Sequence, residues 1–476
     1  MEAVMNFLDS VVGSVNTLLW DNLLMYLLVA TGIYFTFRLR FIQVRKFGTG
    51  MKALFGNFSL NGGSNGAGLS SFQALTTAIA AQVGTGNIAG AATAIASGGP
   101  GAIFWMWVSA FFGMATIYSE AVLAQHTKKV VDGVVTGGPV YYIKAVFKGK
   151  FGKFLAGFFS VAIILALGFM GNMVQSNSIG DSFHNAFGVN PLIVGICVAV
   201  VAAVIFIGGV KRIAWVTEKI VPVMALFYIV GCAVILCMCG SDVGLAFKQI
   251  FVMAFNPQAM AGGALGITVQ KAMRFGVARG LFSNEAGMGS APNASASASV
   301  SHPAKQGMVQ VLSVFIDTLL ICSATAMMLL LSGVQGEPGV LDGIPFVQKA
   351  ISANVGSWGI HFITISIFAF AFSSLIGNYY YAESNILFIK NNKTLLLIFR
   401  ISCLVAVFLG AQADFSMMWN IADITMGCMA TVNILVILVL GNVAIKVLKD
   451  YEKQRKEGKD PVFKAKDVGI DHTDCW

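Results

Sequence analysis

Charge is what this 476-residue sequence has least of. Asp, Glu, Lys and Arg make up 11% of it and hydrophobic residues 57%, against roughly 25% charged in an average soluble protein. A chain of this length built as two or three water-soluble domains is thereby excluded. Histidine is scarce too, with five residues. His126, His184, His302 and His472 fall in predicted loops or the tail, and His361 sits at the end of an apolar run. HExxH does not occur and the histidines lie off the apolar runs, so the nucleophile–base pair or metal cluster that an intramembrane enzyme needs at membrane depth is missing. None of the eight cysteines forms a CxxC pair. Seven of them (Cys197, Cys232, Cys237, Cys239, Cys322, Cys403 and Cys428) lie within or at the ends of apolar runs and are expected as small core residues. The opening MEAVMNFLDS lacks the basic stretch of a cleavable signal, so the first apolar run is expected to stay as a helix.

What is present instead is a succession of apolar runs of about 18 to 25 residues, each long enough to cross a hydrocarbon core of roughly 30 Å as a helix. Spans are expected at Leu19 to Phe37, Phe72 to Ser97, Gly101 to Ala124, Phe154 to Val174, Pro191 to Gly209, Val221 to Cys239, a broken one within Gly262 to Ala298, Met308 to Leu331, Phe362 to Phe388, Thr394 to Gly410, and Met417 to Leu440. The fold class is therefore an all-α polytopic membrane protein of about eleven transmembrane helices. With alternating spans and the N-terminus outside, all but five of the 31 Lys and Arg residues fall on the inner side. The five are Lys248, Lys271, Arg274, Arg279 and Lys349. This asymmetry favours N-out, C-in, and it assigns the net charge of +9 to topology and the lipid surface, not to nucleic acid. Trp20, Trp358 and Trp419 are expected in the outer headgroup zone. The one long polar stretch, 446–476, reads as a cytoplasmic tail, its start either a short helix near anionic lipid or a disordered solubilising segment.

Two spans share a glycine-broken, small-residue character about 200 residues apart: TTAIAAQVGTGNIAGAATAIASGGPG and GLFSNEAGMGSAPNASASAS. Each is followed by a long apolar span, and the first enters from inside while the second enters from outside. The chain thus divides into an N-terminal helix and basic loop (1–52), two five-helix units of inverted topology (53–240 and 241–445) and the tail (446–476). Interrupted helices at corresponding positions of inverted repeats point to a transporter's binding site.

The first break holds Gly84, Gly86 and Gly90, each costing about 1 kcal/mol of helix propensity relative to Ala. Peptide groups freed at mid-membrane must be buried in protein or given a ligand. A zwitterion and a cation suit them, the N-terminus of the outer half-helix facing a carboxylate and carbonyls of the inner half facing the cation. The alternative, glycines that only allow close helix packing, has against it the polar company of Thr77, Gln82, Thr85 and Asn87. The second break puts Ser283, Asn284 and Glu285 beside two glycines and Pro292. Glu285 is either a coupling or gating group, or it pairs with a neighbour such as Arg279 or sits at a watery vestibule. In span 9, Ser373 and Ser374 offer oxygens suited to a hard monovalent cation, or else bond back to their own helix. Asn378 lies one turn on, within reach of a substrate. Gly168 and Phe169 of span 4, before Asn172 and Gln175, could shape a pocket for a short side chain. Glu120, Asp317 and Asp423 are further acids at membrane depth with no role beyond pairing.

The stretches QVGTGNIAG, GGPGAIFWMWVSAFFGMATIYSEAVLA, GGPVYYI, GNMVQSNSI, GLFSNEAGMGSAP and IGNYYYAESN resemble the alanine or glycine:cation symporter family, the sodium:alanine symporters, over essentially the whole chain. The resemblance implies an inverted-repeat core of the leucine-transporter type preceded by one extra helix. VGTGN at Val83 to Asn87 is similar to that fold's VGLGN break, and FSS at Phe372 to Ser374 to its FTS sodium element. It further implies a Na⁺ site from the carbonyls of Ala80 and Val83 with the hydroxyls of Ser373 and Ser374. Thr85 and Gly86 amides would meet the substrate carboxylate. Gln82, Asn87, Gly168, Phe169, Gln175, Ser283 and Asn378 complete the expected substrate site. The implied activity is Na⁺-coupled import of a small neutral amino acid, alanine or glycine first, with serine, D-alanine or glutamine and a proton drive as variants. The implied setting is the plasma membrane of bacterial inner-membrane type, with the chain a monomer.

Overall fold

The computed structural model describes residues 13–56, 68–131, 133–240, 242–256, 268–412, 415–470 and 474–476. The opening MEAVMNFLDS, His472 and the expected start of span 7 at Gly262 lie outside the described residues. Among those described, eight helices are long and apolar enough to cross a membrane: Gly13–Arg38, Gly101–His126, Gly149–Phe187, Gly209–Met238, Pro303–Leu331, Trp358–Ile389, Lys393–Gly410 and Trp419–Lys456. They correspond to spans 1, 3, 4, 6, 8, 9, 10 and 11. Span 5 is the shorter apolar helix Pro191–Ile207. Spans 2 and 7 are the two interrupted ones.

Local chemistry sets the ends. Span 2 opens with a capping box in which Gln73 N–H donates to Ser70 Oγ at 3.0 Å and the Gln73 side chain accepts from Ser70 N–H, satisfying amides that a helix start leaves unpaired. Pro191 and Pro303 occupy first-turn positions, where no intrahelical donor is needed, behind the capping side chains of Asn190 and His302. Gly188 ends span 4 in the left-handed region at φ 67°, a conformation with little cost for glycine.

Span 4 runs well past its expected end at Val174, to Phe187. The residues that close the hydropathic run, Asn172, Gln175, Ser176 and Ser178, are buried inside the bundle, so polarity there marks an interior face and not the water boundary. Span 11 likewise continues past Leu440 to Lys456. The tail helix is thus the last turns of a span, and the residues after it fold back on the bundle. Phe463 N–H donates to Ser301 O at 2.9 Å and Lys305 pairs with Asp460 at 2.7 Å. Two helices between spans escaped the hydropathy reading. Val243–Phe255 packs on span 3, and Gly343–Val355 packs on span 9 and the outer half of span 2.

Two further expectations are corrected. Cys232, Cys322 and Cys403 are buried, but Cys197 and Cys237 face outward, because an apolar run in lipid does not distinguish core from periphery. Trp20 and Trp419 are buried, and the Trp20 indole donates to Asp423 O at 3.0 Å; of the three only Trp358, at the start of its helix, is exposed. An indole N–H with an internal carbonyl partner has no need of the headgroup zone.

Candidate functional site

Span 2 is helical over Ser71–Gln82, comes apart at Val83 and Gly84, turns helical again from Thr85, with a π-helical turn at Gly86–Gly90, and continues as Ala91–Gly98. Val83 closes the inner half with ψ 94°, well outside helical values. The glycines act differently from one another. A Cβ on Gly84 would lie 2.2 Å from Ser374 Oγ and 3.0 Å from Gln175 Oε1, and one on Gly86 would lie 3.1 Å from Phe282 Cδ1. Gly90 faces open space. The break therefore exists so that spans 4, 7 and 9 can reach the backbone.

Span 9 reaches it with hydroxyls. Ser374 Oγ donates to Val83 O at 3.1 Å, and Ser373 Oγ lies 3.5 Å from the same carbonyl while donating to Phe370 O at 2.9 Å. Ser373 thus bonds to its own helix and also stands at the gap. Ala80 is fully buried one turn earlier, beside Ala81, which would lie 2.7 Å from a Cβ on Gly377 of span 9. These hydroxyl and carbonyl oxygens are the ligand type a hard cation takes.

Span 4 reaches the break with Gln175. Its Oε1 accepts from Thr85 N–H at 3.0 Å and from Thr85 Oγ1 at 2.7 Å. A side-chain carbonyl thus sits on the very amide at which the sequence reading puts a carboxylate. Asn378 is 3% exposed and its Nδ2 lies 3.1 Å from where a Cβ on Gly171 would stand. Asn378 Oδ1 and Gln82 Oε1 are buried acceptors without a partner. Such atoms are costly unless a donor arrives, and an ammonium supplies three. Gly168 and Phe169 are not brought into this cluster. Gly168 packs on Ala382 and Phe399, and the Phe169 ring stands edge-on to Phe399 at 5.9 Å.

Span 7 is helical over Val269–Asn284 and again over Pro292–Ala296. Between them Glu285, Gly287 and Gly289 take positive φ of 57°, 90° and 84°. Glutamate rarely adopts this region, and it is held here by neighbours. Glu285 Oε2 accepts from Ser290 Oγ at 2.6 Å. Arg279 pairs instead with Asp423, at 3.3 Å. The freed amides of Gly287 and Gly289 donate to the Glu120 carboxylate of span 3 at 2.9 and 3.0 Å, and Asn433 of span 11 donates to it at 2.6 Å. Tyr142 in turn donates to Asn433 Oδ1.

The two breaks are joined. Gln82 Nε2 donates to Asn284 O at 2.7 Å. Asp317 of span 8, with no solvent exposure, accepts from Asn87 Nδ2 at 2.7 Å, Ser283 Oγ at 2.9 Å and Thr318 Oγ1 at 2.7 Å. Asn87 also accepts from Gly84 N–H at 2.8 Å and so caps the break it belongs to. Every contact on Asp317 is a donor aimed at it, the arrangement that suits an ionised carboxylate. Asn87 and Ser283 are thus brought together by an acid that the sequence reading left without a role. Its signal was its depth in the membrane; its partners came from folding. Gly84 and Asn284 were passed over as site residues in the same way.

The site is closed from both sides. Thr85 and Asn87 have no exposure. Gly343–Val355 covers the outer half of span 2. On the inner side Leu69 pairs with Ala298, and Ser297 Oγ meets Tyr380 Oη at 2.7 Å. Among the described residues no group of three or more His, Cys, Asp and Glu could hold a metal ion.

Comparison with known proteins bears on this geometry. A sequence profile described as the sodium:alanine symporter family matches residues 5–465. The chain is 45% identical to a probable sodium/glutamine symporter, GlnT, of Bacillus subtilis, over 98% of this chain and 96% of that one. It is 41% identical to the sodium/alanine symporter AgcS of Methanococcus maripaludis, over 94% and 98%. Among solved structures, MhsT in complex with L-phenylalanine superposes with a TM-score of 0.54 at 15% identity, covering 86% of this chain and 94% of that one. A Na⁺-coupled sialic acid symporter superposes with a TM-score of 0.53 at 13% identity, covering 94% and 92%. The fold is that of the leucine-transporter type.

Proposed function

The chain belongs to the sodium:alanine symporter family, and on that premise we propose that it imports a small neutral amino acid, alanine or glycine first, together with Na⁺ by alternating access. Na⁺ is bound by the carbonyls of Ala80 and Val83 with the hydroxyls of Ser373 and Ser374. The substrate carboxylate is held by the Thr85 and Gly86 amides, and its ammonium by the acceptors Gln82 Oε1 and Asn378 Oδ1. The observation that carries this reading is that Ser374 of span 9 and Gln175 of span 4 converge on the two sides of the break in span 2, at Val83 and Thr85. Gln175 Oε1 occupies the Thr85 donors at which the carboxylate is placed, so substrate binding displaces it. Ionised Asp317 beside both breaks supplies negative potential that favours a cation and an ammonium. Spans 2 to 6 and 7 to 11 are the two inverted units, N-terminus outside, and the carrier works as a monomer in the plasma membrane.

The driving force is adequate. One Na⁺ moving inward across 100 mV supplies about 2.3 kcal/mol, and a tenfold gradient about 1.4 kcal/mol more. Together they sustain a substrate ratio of roughly a few hundredfold. The relative named for glutamine makes that amide the second substrate to examine. Uptake of radiolabelled alanine into proteoliposomes, with and without Na⁺ and with a panel of competing amino acids, tests the reading. Accumulation above the outside concentration that needs Na⁺ supports a symporter. Equilibration without accumulation indicates a channel, and displacement by glutamine but not by glycine reassigns the substrate.

A further inference from the structure

A cavity of about 660 Å³ lies on the inner side of the bundle, away from the transport site. Its apolar wall is Tyr141, Phe388 at the end of span 9, and Leu440 and Val443 of span 11. Its polar rim carries Lys144 and Lys148 from the helix Pro139–Val146 and the turn after it, with Lys129 and Asp474 opposite. Lys129 is already paired with Asp474 at 2.9 Å. Lys144 and Lys148 are exposed and pair with no carboxylate among the described residues; the Lys144 ammonium stands 5.2 Å from the centre of the Phe388 ring. Two cations above an apolar wall, on the face that carries most of the chain's Lys and Arg, match one occupant in both halves.

We propose that this cavity binds an anionic phospholipid of the inner leaflet. The phosphodiester lies between Lys144 and Lys148, and the acyl chains leave along the ends of spans 9 and 11. The volume suits a headgroup with its glycerol and the first methylenes, not a whole lipid, so the chains must continue into the bilayer. A free phosphate would satisfy the lysines but leave the apolar wall unused. Basic pockets between helices on the cytoplasmic side are a recurrent setting for acidic headgroups. The site also adjoins the inner gate. Its far wall includes Ile470 and Asp474 of the returning tail, and just beyond them the Trp476 indole donates to Gln125 O at 2.7 Å. The Gln125 amide in turn holds the carbonyls of Ser295 and Ala298 at 2.5 and 2.8 Å, in the inner half of span 7. A bound lipid therefore buttresses the segment that keeps this end shut.

The test is native mass spectrometry of the full-length protein released from vesicles of phosphatidylcholine containing phosphatidylglycerol. Wild type should retain phosphatidylglycerol in preference to phosphatidylcholine. The double variant Lys144→Gln/Lys148→Gln should bind it about thirtyfold more weakly, which is about 1 kcal/mol for each lysine. Lys144→Arg/Lys148→Arg should keep it, showing that the fold tolerates change there. Lys150→Gln/Lys153→Gln removes as much charge from exposed positions outside the cavity and should leave retention at the wild-type level. Equal retention of the two lipids by wild type, or undiminished retention by the Lys144→Gln/Lys148→Gln variant, overturns the proposal. So does displacement by glycerol phosphate, which would mark a site for free phosphate. None of these outcomes depends on which amino acid is carried.

Discussion

Gln175→Leu is the substitution that best separates the proposed cradle from a merely polar interior. The change keeps most of the side chain's bulk and removes the oxygen that accepts from Thr85 N–H and Thr85 Oγ1. A neutral hydrogen bond contributes about 0.5–1.5 kcal/mol net. A substrate that must displace two of them is therefore penalised by about 1–3 kcal/mol, or about 5- to 150-fold in Kd. Without Gln175 Oε1 the empty carrier loses that competitor, so alanine should bind more tightly by a factor in this range. Turnover should fall, because the glutamine no longer helps to expel the substrate at the inner side. Equilibrium binding of radiolabelled alanine to purified protein at saturating Na⁺ measures the first effect, and initial rates in proteoliposomes the second. Gln175→Glu supplies the sign control. It places a tethered carboxylate on the same donors, with hydrogen bonds worth about 1.5–3 kcal/mol each, and should block binding. General damage to the pocket would weaken both variants together. Weaker binding by Gln175→Leu would mean that the glutamine holds substrate, and an unchanged Kd would remove Thr85 from the carboxylate site.

Ser374→Ala removes an oxygen from the proposed cation site and should raise the half-saturating Na⁺ concentration about tenfold, about 1.4 kcal/mol, with little change in alanine affinity at saturating Na⁺; an unshifted Na⁺ activation curve contradicts the site. Gly86→Leu drives atoms into Phe282 and Ser283, already 3.1 and 3.4 Å from a single added Cβ, and should abolish binding in a protein that still elutes as a monodisperse peak, whereas normal uptake would reduce this break to packing. Glu120→Gln replaces a carboxylate that accepts on both oxygens with an amide whose NH₂ must face either Gly287 N–H or the pair Gly289 N–H and Asn433 Nδ2, so it should cost about 1–3 kcal/mol in thermal unfolding and lower uptake. Burial pushes His302 from 6.5 down to about 4, and it faces Asp450 and Lys305; its Nδ1 accepts from Ala304 N–H, leaving the proton on Nε2 toward Asp450. Because the folded value is the lower one, this contribution is complete above pH 6.5 and is lost as pH falls toward 4, so proteolysis of the segment after 456 should accelerate over that window, and His302→Gln should flatten the profile.

How much of this could be read from the sequence depends on whether a feature is local. Three glycines within seven residues weaken a helix wherever it is placed, so the break at Val83 and Gly84 is visible in the primary structure. The paired hydroxyls of span 9 are visible for the same reason. Gly168 and Phe169 show the opposite case. Their motif says that span 4 has a small residue beside an aromatic one, but the rotation of the helix decides whether they face the substrate or Phe399, and that rotation is set by packing against spans 9 and 10. Asp317 was visible as a buried acid. What it does depends on Asn87, 230 residues away, and Ser283, 34 away, and no pattern in one sequence links them. Gln175 was named from its motif, but its partner Thr85, 90 residues away, was hidden likewise, as was the folded-back tail. Gln175 lies past the point where hydropathy places the end of its span, and the tail is polar in sequence yet partly buried by tertiary contact.

The distribution of strong and weak contacts also says which parts can move. Spans 2 and 7 are tied to spans 3 and 8 by carboxylates, Glu120 on the amides of one break and Asp317 on side chains from both. Buried hydrogen bonds of this kind are costly to leave unmade, which favours these spans moving together, with span 11 joined to them through Asn433 on Glu120. Their ties to spans 4 and 9 are neutral and few: Gln175 to Thr85, Ser374 to Val83, and at the inner end Ser297 to Tyr380 and Asn385 to Asn293 at 3.3 Å. Each can be exchanged for water or for ligand at about 1 kcal/mol. The plane of easiest separation therefore runs between spans 2, 3, 7 and 8 on one side and spans 4 and 9 on the other. At the proposed sites Na⁺ and substrate would bind across that plane, replacing neutral contacts with ionic ones. Occupancy then strengthens the interface that opening must break, and the ions' departure is what frees it.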